Sequence, residues 1–174
     1  RAHAQAVATR LQRSGLGQAA HRIALYIPGG GELDPWPIVA RLRHQRRWHL
    51  PVLRGHAPGR LWFVRYRPGE ALRPNRFGIP EPVRRGRQIR PAQGLDLILV
   101  PLVGFDRACH RLGMGAGFGD RSLAFLQQRR HWRRPRLIGL AHECQRVEAL
   151  APKPWDIPLD AVITEAAIYR RADT

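Results

Sequence analysis

The stretch LDLILV at residues 95–100 is the most apolar run of the chain, and it decides the fold class. A short, continuous apolar run of this kind is typical of a central β-strand that is covered on both faces. Similar runs occur as RIALYI at 22–27, RLIGLA at 136–141 and LDAVIT at 159–164. Because strands alternate with helical patterns along the chain, the sequence predicts an α/β fold with a largely parallel central sheet.

The remaining segments supply the other expected elements. Apolar spacing over residues 2–11 predicts a helix that Gly15 and Gly17 end. Asp34 and Pro35 are typical of an N-cap and a first-turn proline, so a second helix is expected to follow them. We also expect strands at 50–53 and 61–66, a mostly irregular segment at 73–90 and a helix at 121–130.

The size and composition suit one compact domain. The chain has 174 residues, and 44% of them are hydrophobic. No run of about 18 apolar residues is present, which argues against a membrane span. The first ten residues lack the apolar core of a secretory signal, so the expected location is the cytoplasm. Cys109 and Cys144 are too few for a disulfide framework and are expected to be ordinary reduced thiols.

The net charge of +17 would attract any polyanion, including nucleic acid. The arginines that produce it are spread along the chain, and none of their groups is interleaved with aromatic side chains. A solvated basic surface is therefore the favoured interpretation, and nucleic acid is possible but not expected as a partner. A basic nucleic-acid-binding module remains an alternative function from a different class.

The sequence RLGMGAGFGD at 111–120 lies between a predicted buried strand and a predicted helix. Glycines at alternate positions allow backbone N–H groups to point into one concavity, which can bind a phosphate next to a helix N-terminus. The segment has neither the Gly-Lys-Ser/Thr ending of a P-loop nor the spacing of a dinucleotide fold. Composition alone leaves a phosphate site and a structural turn both open.

The two ends of this segment favour a phosphate site. Arg111 is a permanent cation that can bind a phosphate through two hydrogen bonds. Asp120 is either a magnesium ligand beside the phosphates or the cap of the next helix, and both roles are compatible. Asp156 could supply a second metal contact, although it could equally be an ordinary turn aspartate.

Two further features suit a small-molecule site. Glu32 follows three glycines after the first predicted strand, where open α/β sheets bind ligands, but it could be a simple loop carboxylate. FGIPEP at 77–82 offers Phe77 as a wall for a planar ring, or else a rigid surface turn. The histidines show no paired metal spacing, and no Ser/His/Asp or Cys/His set can be argued from spacing.

The order of these motifs resembles that of the 5-formyltetrahydrofolate cyclo-ligase family. The matching pieces are RIALYI at 22–27, GELD at 31–34, LPV at 50–52, FGIPEP at 77–82, DLILVPLVGFD at 96–106, RLGMGAGFGD at 111–120, LIGLA at 137–141 and WDIPLDAVITE at 155–165. The resemblance implies a three-layer α/β/α sandwich and one cyclo-ligase domain over residues 1–174. It also implies a protein that acts on ATP and a reduced folate, and a monomer is expected.

The implied reaction is an ATP-dependent ring closure. In this family ATP phosphorylates the N5-formyl oxygen of 5-formyltetrahydrofolate, N10 then attacks the activated carbon, and loss of phosphate gives 5,10-methenyltetrahydrofolate and ADP. The resemblance assigns Arg111 and Asp120 as catalytic, Asp120 and Asp156 as Mg²⁺ ligands, and Glu32, Phe77 and Phe118 as folate contacts. It assigns ATP to Arg111, Leu112, Gly113, Met114, Gly115, Ala116, Gly117, Phe118 and Gly119.

The chain departs from the family pattern in three places. Met114 and Ala116 occupy variable loop positions, and a tyrosine pair of the family is replaced by Phe118 and Gly119. The family's basic N-terminal helix is expected to be absent or to lie outside this sequence. The loss of both tyrosine hydroxyls raises the alternative of a degenerate relative that binds nucleotide or folate with little turnover.

Overall fold

The computed structural model describes residues 1–42, 45–53, 61–83, 89–112, 135–153 and 156–172. Their regular elements are α1 (Ala2–Ser14), β1 (Arg22–Ala24), α2 (Trp36–Leu42), β2 (Arg47–Leu53), β3 (Leu61–Arg65), β4 (Leu72–Pro74), β5 (Pro80–Pro82), β6 (Ile89–Arg90), β7 (Leu97–Pro101), β8 (Arg136–Leu140), β9 (Ala161–Ile163) and β10 (Ile168–Arg170). Short 3-10 turns lie at Ala92–Gly94 and Glu143–Gln145. None of the helices in these ranges is long and apolar enough to cross a bilayer.

The described strands form an eight-stranded sheet in the order β10-β9-β8-β7-β1-β2-β3-β6, and β4 and β5 form a separate pair. The pairings from β9 through β8, β7 and β1 to β2 are all parallel. The pairings of β10, β3 and β6 are antiparallel. The α/β class with a largely parallel sheet is thus confirmed, with antiparallel strands added at both edges.

Side chains of the central strands alternate between two hydrophobic clusters. Leu97 and Leu99 of β7 face the cluster that contains α1 and α2, whereas Ile98 faces the opposite cluster. Ile138 and Leu137 of β8 divide in the same way. Because both faces are covered, these strands read as continuous apolar runs in the sequence rather than as an alternating pattern.

The helical layer forms as the apolar spacing predicts. Val7, Ala8 and Leu11 of α1 are buried, and Gly15 ends the helix in the left-handed conformation at φ 75°. At the start of α2, the Asp34 carboxylate accepts the Trp36 N–H at 2.9 Å, which confirms the expected cap. The helix expected over 121–130, which would belong to the third layer, lies outside the described residues.

The segment 73–90 was expected to be mostly irregular, and this expectation is wrong in part. It contributes the pair of β4 and β5 and the edge strand β6. Pro74, Pro80 and Pro82 are tolerated because a two-stranded sheet consists only of edge strands, where a missing N–H need not break a ladder. The structure also adds β10, which the sequence did not indicate, and starts β2 at Arg47 rather than at residue 50.

Candidate active site

The chain reaches the glycine segment through a tight hairpin over residues 104–112, which follows β7. Phe105 and Arg111 form an antiparallel bridge, and the Leu112 N–H donates to the Gly104 carbonyl at 3.0 Å. The Asp106 N–H donates to the His110 carbonyl at 3.1 Å within the turn. This hairpin therefore fixes the direction in which Arg111 and Leu112 enter the segment that follows.

Asp106 holds the turn of this hairpin. Its side chain is buried, and its carboxylate accepts the N–H groups of Ala108 at 3.0 Å, His110 at 3.0 Å and Leu150 at 2.9 Å, together with a 3.0 Å contact to His110 Nδ1. Burial alone would raise the pKa of Asp106, but the hydrogen bonds from Leu150 and His110 outweigh it and keep the pKa below its usual value. Sequence reasoning missed this residue, and its only local signal was an aspartate at the start of a turn.

The hairpin is anchored on the segment that follows β8. Phe105 also forms a parallel backbone bridge with Arg146, and the Val147 N–H donates to the Phe105 carbonyl at 2.7 Å. Gly104 lies at a close approach, since a Cβ there would lie 2.6 Å from Cδ1 of Leu112, the end of an exposed side chain. The positions of Arg111 and Leu112 are thus set by the segment after β8 as well as by the hairpin itself.

Arg111 is half-buried and Leu112 is exposed, so both are placed where a ligand could reach them. The expected metal ligand Asp120 lies outside the described residues, and so does Phe118, which is also expected to contact folate. The other expected ATP contacts outside them are Gly113, Met114, Gly115, Ala116, Gly117 and Gly119. The structure therefore describes the entrance to the predicted phosphate site.

Asp156 lies in a turn that packs beside the same hairpin. Its Oδ2 accepts the Lys153 N–H at 2.9 Å, and its own N–H donates to the Lys153 carbonyl at 3.0 Å. Three residues further on, the Leu159 N–H donates to the Cys109 carbonyl at 2.9 Å. The hairpin that carries Arg111 and the segment that carries Asp156 are thereby joined directly.

Cys109, at the contact between these two segments, is fully buried, and burial raises the pKa of its thiol to about 11. A thiol with such a pKa remains protonated at neutral pH. Cys109 is therefore a packing residue, and Cys144 is a free, exposed cysteine.

Glu32 occupies a turn beyond β1. The Gly29 N–H donates to Oε1 of Glu32 at 2.7 Å, and the Glu32 N–H donates back to the Gly29 carbonyl at 3.1 Å. Gly31 has φ 82°, so the turn needs a glycine there. Burial, with smaller contributions from Glu32 and Asp34, raises the pKa of Tyr26, whose hydroxyl donates to the Leu33 carbonyl.

Phe77 lies at the tip of the β4–β5 hairpin and is 55% exposed. Oδ1 of Asn75 accepts the N–H groups of Phe77 and Ile79 at 2.8 and 3.0 Å, which shapes the tip. The Arg76 guanidinium carbon lies 4.9 Å from the centroid of the Phe77 ring. The ring is thus presented to solvent on a defined turn.

Glu81, which sequence reasoning also missed, attaches this hairpin to the central sheet. Its side chain is buried, and its Oε2 accepts the Leu53 N–H of β2 at 2.7 Å and the Asn75 side-chain amide at 2.9 Å. Because β1 and β2 are parallel neighbours, their carboxyl ends lie at the same edge of the sheet. Glu32 follows β1, and Glu81 attaches the hairpin of Phe77 to Leu53 at the end of β2. The candidate site thus rests on two groups of segments, one with Glu32 and Phe77 and one with Arg111 and Asp156.

Comparisons with known proteins identify the family of the chain. The sequence model of the 5-formyltetrahydrofolate cyclo-ligase family matches residues 1–165. The 5-formyltetrahydrofolate cyclo-ligase of Escherichia coli (strain K12) is 40% identical over 166 residues, which cover 95% of this chain and 89% of that protein. The protein of the same name from Haemophilus influenzae is 39% identical over 143 residues, covering 80% of this chain and 73% of its own.

Comparison with solved structures indicates the same family. The NMR structure of 5,10-methenyltetrahydrofolate synthetase from Aquifex aeolicus superposes with a TM-score of 0.78 at 30% identity, covering 98% of this chain and 82% of that one. A family match over nearly the whole chain and a matching fold leave one conclusion. The chain belongs to the 5-formyltetrahydrofolate cyclo-ligase family.

Proposed function

We propose that this protein catalyses the ATP-dependent cyclisation of 5-formyltetrahydrofolate to 5,10-methenyltetrahydrofolate, with release of ADP and phosphate. The observation that carries the proposal is the family match over residues 1–165, which includes all the segments that form the candidate site. The hairpin fixed by Asp106 supports it, since it presents Arg111 directly before the glycine segment.

ATP is bound in this proposal by Arg111 and the segment from Leu112 to Gly119. A guanidinium can hold phosphate oxygens through two parallel hydrogen bonds, and successive backbone N–H groups of a glycine-rich segment can surround the rest of the phosphate chain. Arg111 suits this role because its backbone is held by the bridge to Phe105. The protein has to position the phosphates rather than supply an acid or a base.

Mg²⁺ is expected to be held by Asp120 and Asp156. The ion prefers oxygen ligands, and Asp156 offers a carboxylate whose orientation is fixed by the Lys153 N–H at 2.9 Å. When bound, the ion would neutralise charge on the phosphate oxygens. Asp156 fits because its turn is joined to the hairpin that carries Arg111.

The reduced folate would contact Glu32, Phe77 and Phe118. Phe77 offers an exposed ring on a fixed turn, as stacking against a planar ring system requires. In the reaction, the formyl oxygen attacks the γ-phosphorus and ADP leaves, which gives an N5-iminophosphate. N10 then attacks the activated carbon and loses its proton, and the bond from that carbon to the phosphate oxygen breaks to release phosphate.

The test follows the near-ultraviolet absorbance of the methenyl product after protein, Mg·ATP and 5-formyltetrahydrofolate are mixed. We expect a rise with the unaltered chain, none with Asp120→Ala and a strongly reduced rate with Asp156→Ala. Glu70→Ala is the matched control, because Glu70 also accepts the N–H of the residue three positions earlier, Arg67, at 3.0 Å. Full turnover by Asp120→Ala or Asp156→Ala would contradict the metal assignment.

A second candidate is a relative that binds ATP or folate with little turnover. The replacement of the family's tyrosine pair by Phe118 and Gly119 favours it. Calorimetric binding of both ligands without an absorbance rise, together with a gain of turnover in Gly119→Tyr, would support this candidate over the active enzyme.

A further inference from the structure

Three side chains that could bind a metal ion come together in the described part of the chain, and none of them is a proposed magnesium ligand. His3, His142 and Glu165 each offer one ligand atom, and these atoms lie within 4.8 Å of one another. Nδ1 of His3 is 2.9 Å from Nδ1 of His142, and Nε2 of His3 is 3.6 Å from Oε2 of Glu165. This cluster is not used by the proposed reaction.

The fold brings the three residues together from distant parts of the chain. His3 lies in the first turn of α1, His142 follows the end of β8 and Glu165 follows the end of β9. Because β8 and β9 are parallel neighbours, the residues after both strands lie at the same edge of the sheet. Arg10, further along α1, donates to the Glu165 carbonyl at 3.0 Å and holds the helix at this place.

The neighbouring hydrogen bonds orient the potential ligands. Oε1 of Glu165 accepts the Glu143 N–H at 2.9 Å, which leaves Oε2 directed towards His3. The His142 N–H donates to Oε1 of Gln145 at 2.8 Å and fixes the backbone where the imidazole begins. Supporting contacts of this kind are what keep metal ligands in place.

We propose that His3, His142 and Glu165 bind one divalent transition-metal ion of the Zn²⁺ class. Two imidazole nitrogens and one carboxylate oxygen are a donor set for such ions, whereas Mg²⁺ prefers oxygen ligands alone. Ligand atoms around a tetrahedral ion stand roughly 3.3 Å apart, so small side-chain rotations would complete the site. His3 is exposed, which leaves room for water in a fourth position.

Bound in this way, the ion would connect α1 to the ends of β8 and β9. The alternative is that the three side chains only hydrogen-bond to one another, with His3 between Glu165 and His142. In that case the cluster would have no affinity for metal beyond that of scattered surface histidines. The two situations differ in stoichiometry, in coordination geometry and in the effect of metal on thermal stability.

The test uses tag-free protein with Cys144→Ser, because Cys144 is exposed and lies two residues from His142. Titration with ZnCl₂ by calorimetry should give one ion per chain, and Co²⁺ should give the intense visible absorption of a tetrahedral site. Excess Zn²⁺ at about 100 times the Kd should raise the Tm by about 5 to 10 °C.

His3→Ala, His142→Ala and Glu165→Gln should each weaken Zn²⁺ binding by about tenfold or more. Glu165→Gln retains the oxygen that accepts the Glu143 N–H, so the fold should be preserved. The matched control is His21→Ala, since His21 is exposed and its ring contacts only the Gln45 carbonyl among the contacts described for that ring. Equal affinity in all four variants, a loss of binding on Cys144→Ser alone, or no binding of one ion per chain would overturn the proposal.

Discussion

The described segments cover the two faces of the central sheet in different ways. On one face, α1 and α2 contribute Val7, Leu11 and Ile38 to a continuous apolar cluster. On the other, among the residues that the structure describes, the irregular segments 102–112, 141–153 and 156–159 pack Phe105 and Leu159 against the strands. Helices satisfy their own backbone hydrogen bonds, whereas irregular segments need side chains to do so. The face that carries Arg111 and Asp156 therefore depends on carboxylates.

Asp106 and Glu143 illustrate this dependence. Asp106 accepts the backbone N–H groups of two separate segments. Glu143 accepts the hydroxyls of Thr164 at 2.7 Å and Tyr169 at 2.6 Å and pairs with Arg146 at 3.0 Å. Substitutions on the two faces should consequently differ in their effects on stability and on the candidate site. Loss of apolar volume should lower stability alone, and loss of a carboxylate should also disturb the candidate site.

The largest effect is expected for Asp106→Asn. The amide cannot accept all the N–H groups that surround it, and one of its own NH₂ hydrogens would face a donor. We expect the free energy of unfolding to fall by about 4 kcal/mol, as for a broken buried charge network. Urea unfolding measures this loss, and the cyclisation assay should show a loss of turnover below the unfolding midpoint.

Asp34→Asn is the control for that variant, since Asp34 is exposed and accepts one N–H at the start of α2. Asparagine is also a good N-cap, so little stability should be lost. If Asp106→Asn were no more destabilising than Asp34→Asn, the difference between the two faces would not rest on the carboxylate.

On the helical face, Leu11→Ala should cost about 3 kcal/mol. Leu11 is fully buried in α1, and truncation removes apolar contacts and leaves a cavity. Urea unfolding should show the loss, while the KM for ATP and for folate should remain unchanged in protein that is still folded. A raised KM would show that the two faces are coupled more closely than their separate clusters indicate.

Gly139→Ala probes packing under the irregular segments without removing a charge. A Cβ at Gly139 would lie 2.7 Å from Cδ1 of both Leu102 and Leu159, and both side chains are buried. Overpacking of this kind should lower the free energy of unfolding by about 2 kcal/mol. Gly30→Ala is the control, because a Cβ there would have nothing within 4 Å. A neutral result for Gly139→Ala would mean that the segments over β8 adjust freely.

The parts of the fold that were predictable are those with local signals. Doubly covered strands such as β7 gave apolar runs, and α1 gave helical spacing with a glycine stop. The pair of β4 and β5 and the strand β10 were missed because they are three residues long and partly exposed, so packing within the folded chain decides them.

For the candidate site, the sequence supplies motifs rather than contacts. Arg111, Asp156, Glu32 and Phe77 stand in recognisable motifs, and their roles remain predictions. Asp106 and Glu81 also lie within such motifs, but the sequence did not indicate their structural role, because their partners Leu150 and Leu53 are 44 and 28 residues away. The contact between His3 and His142 joins residues 139 positions apart, and no spacing rule can find it.

The smallest but most specific effect is expected in the acid dependence of the free energy of unfolding, to which the carboxylates of the irregular face should contribute. Burial would raise the pKa of Asp106 and of Glu143, but hydrogen bonds lower both values overall. Asp106 accepts these bonds from Leu150 and His110, and Glu143 accepts them from Tyr169 and Thr164. A lowered pKa adds stability that is complete above the unfolded value, about 4, and is lost as the pH falls through the folded value.

Urea unfolding measured from pH 6 downwards should therefore show stability falling as the pH drops below about 5. Leu11→Ala should shift this curve to lower stability without changing its slope, because no titrating group is removed. Asp106→Asn should reduce the slope, since one of the two carboxylates no longer titrates. Equal slopes in all three proteins would mean that the carboxylates of the irregular face contribute no more to acid stability than ordinary surface groups.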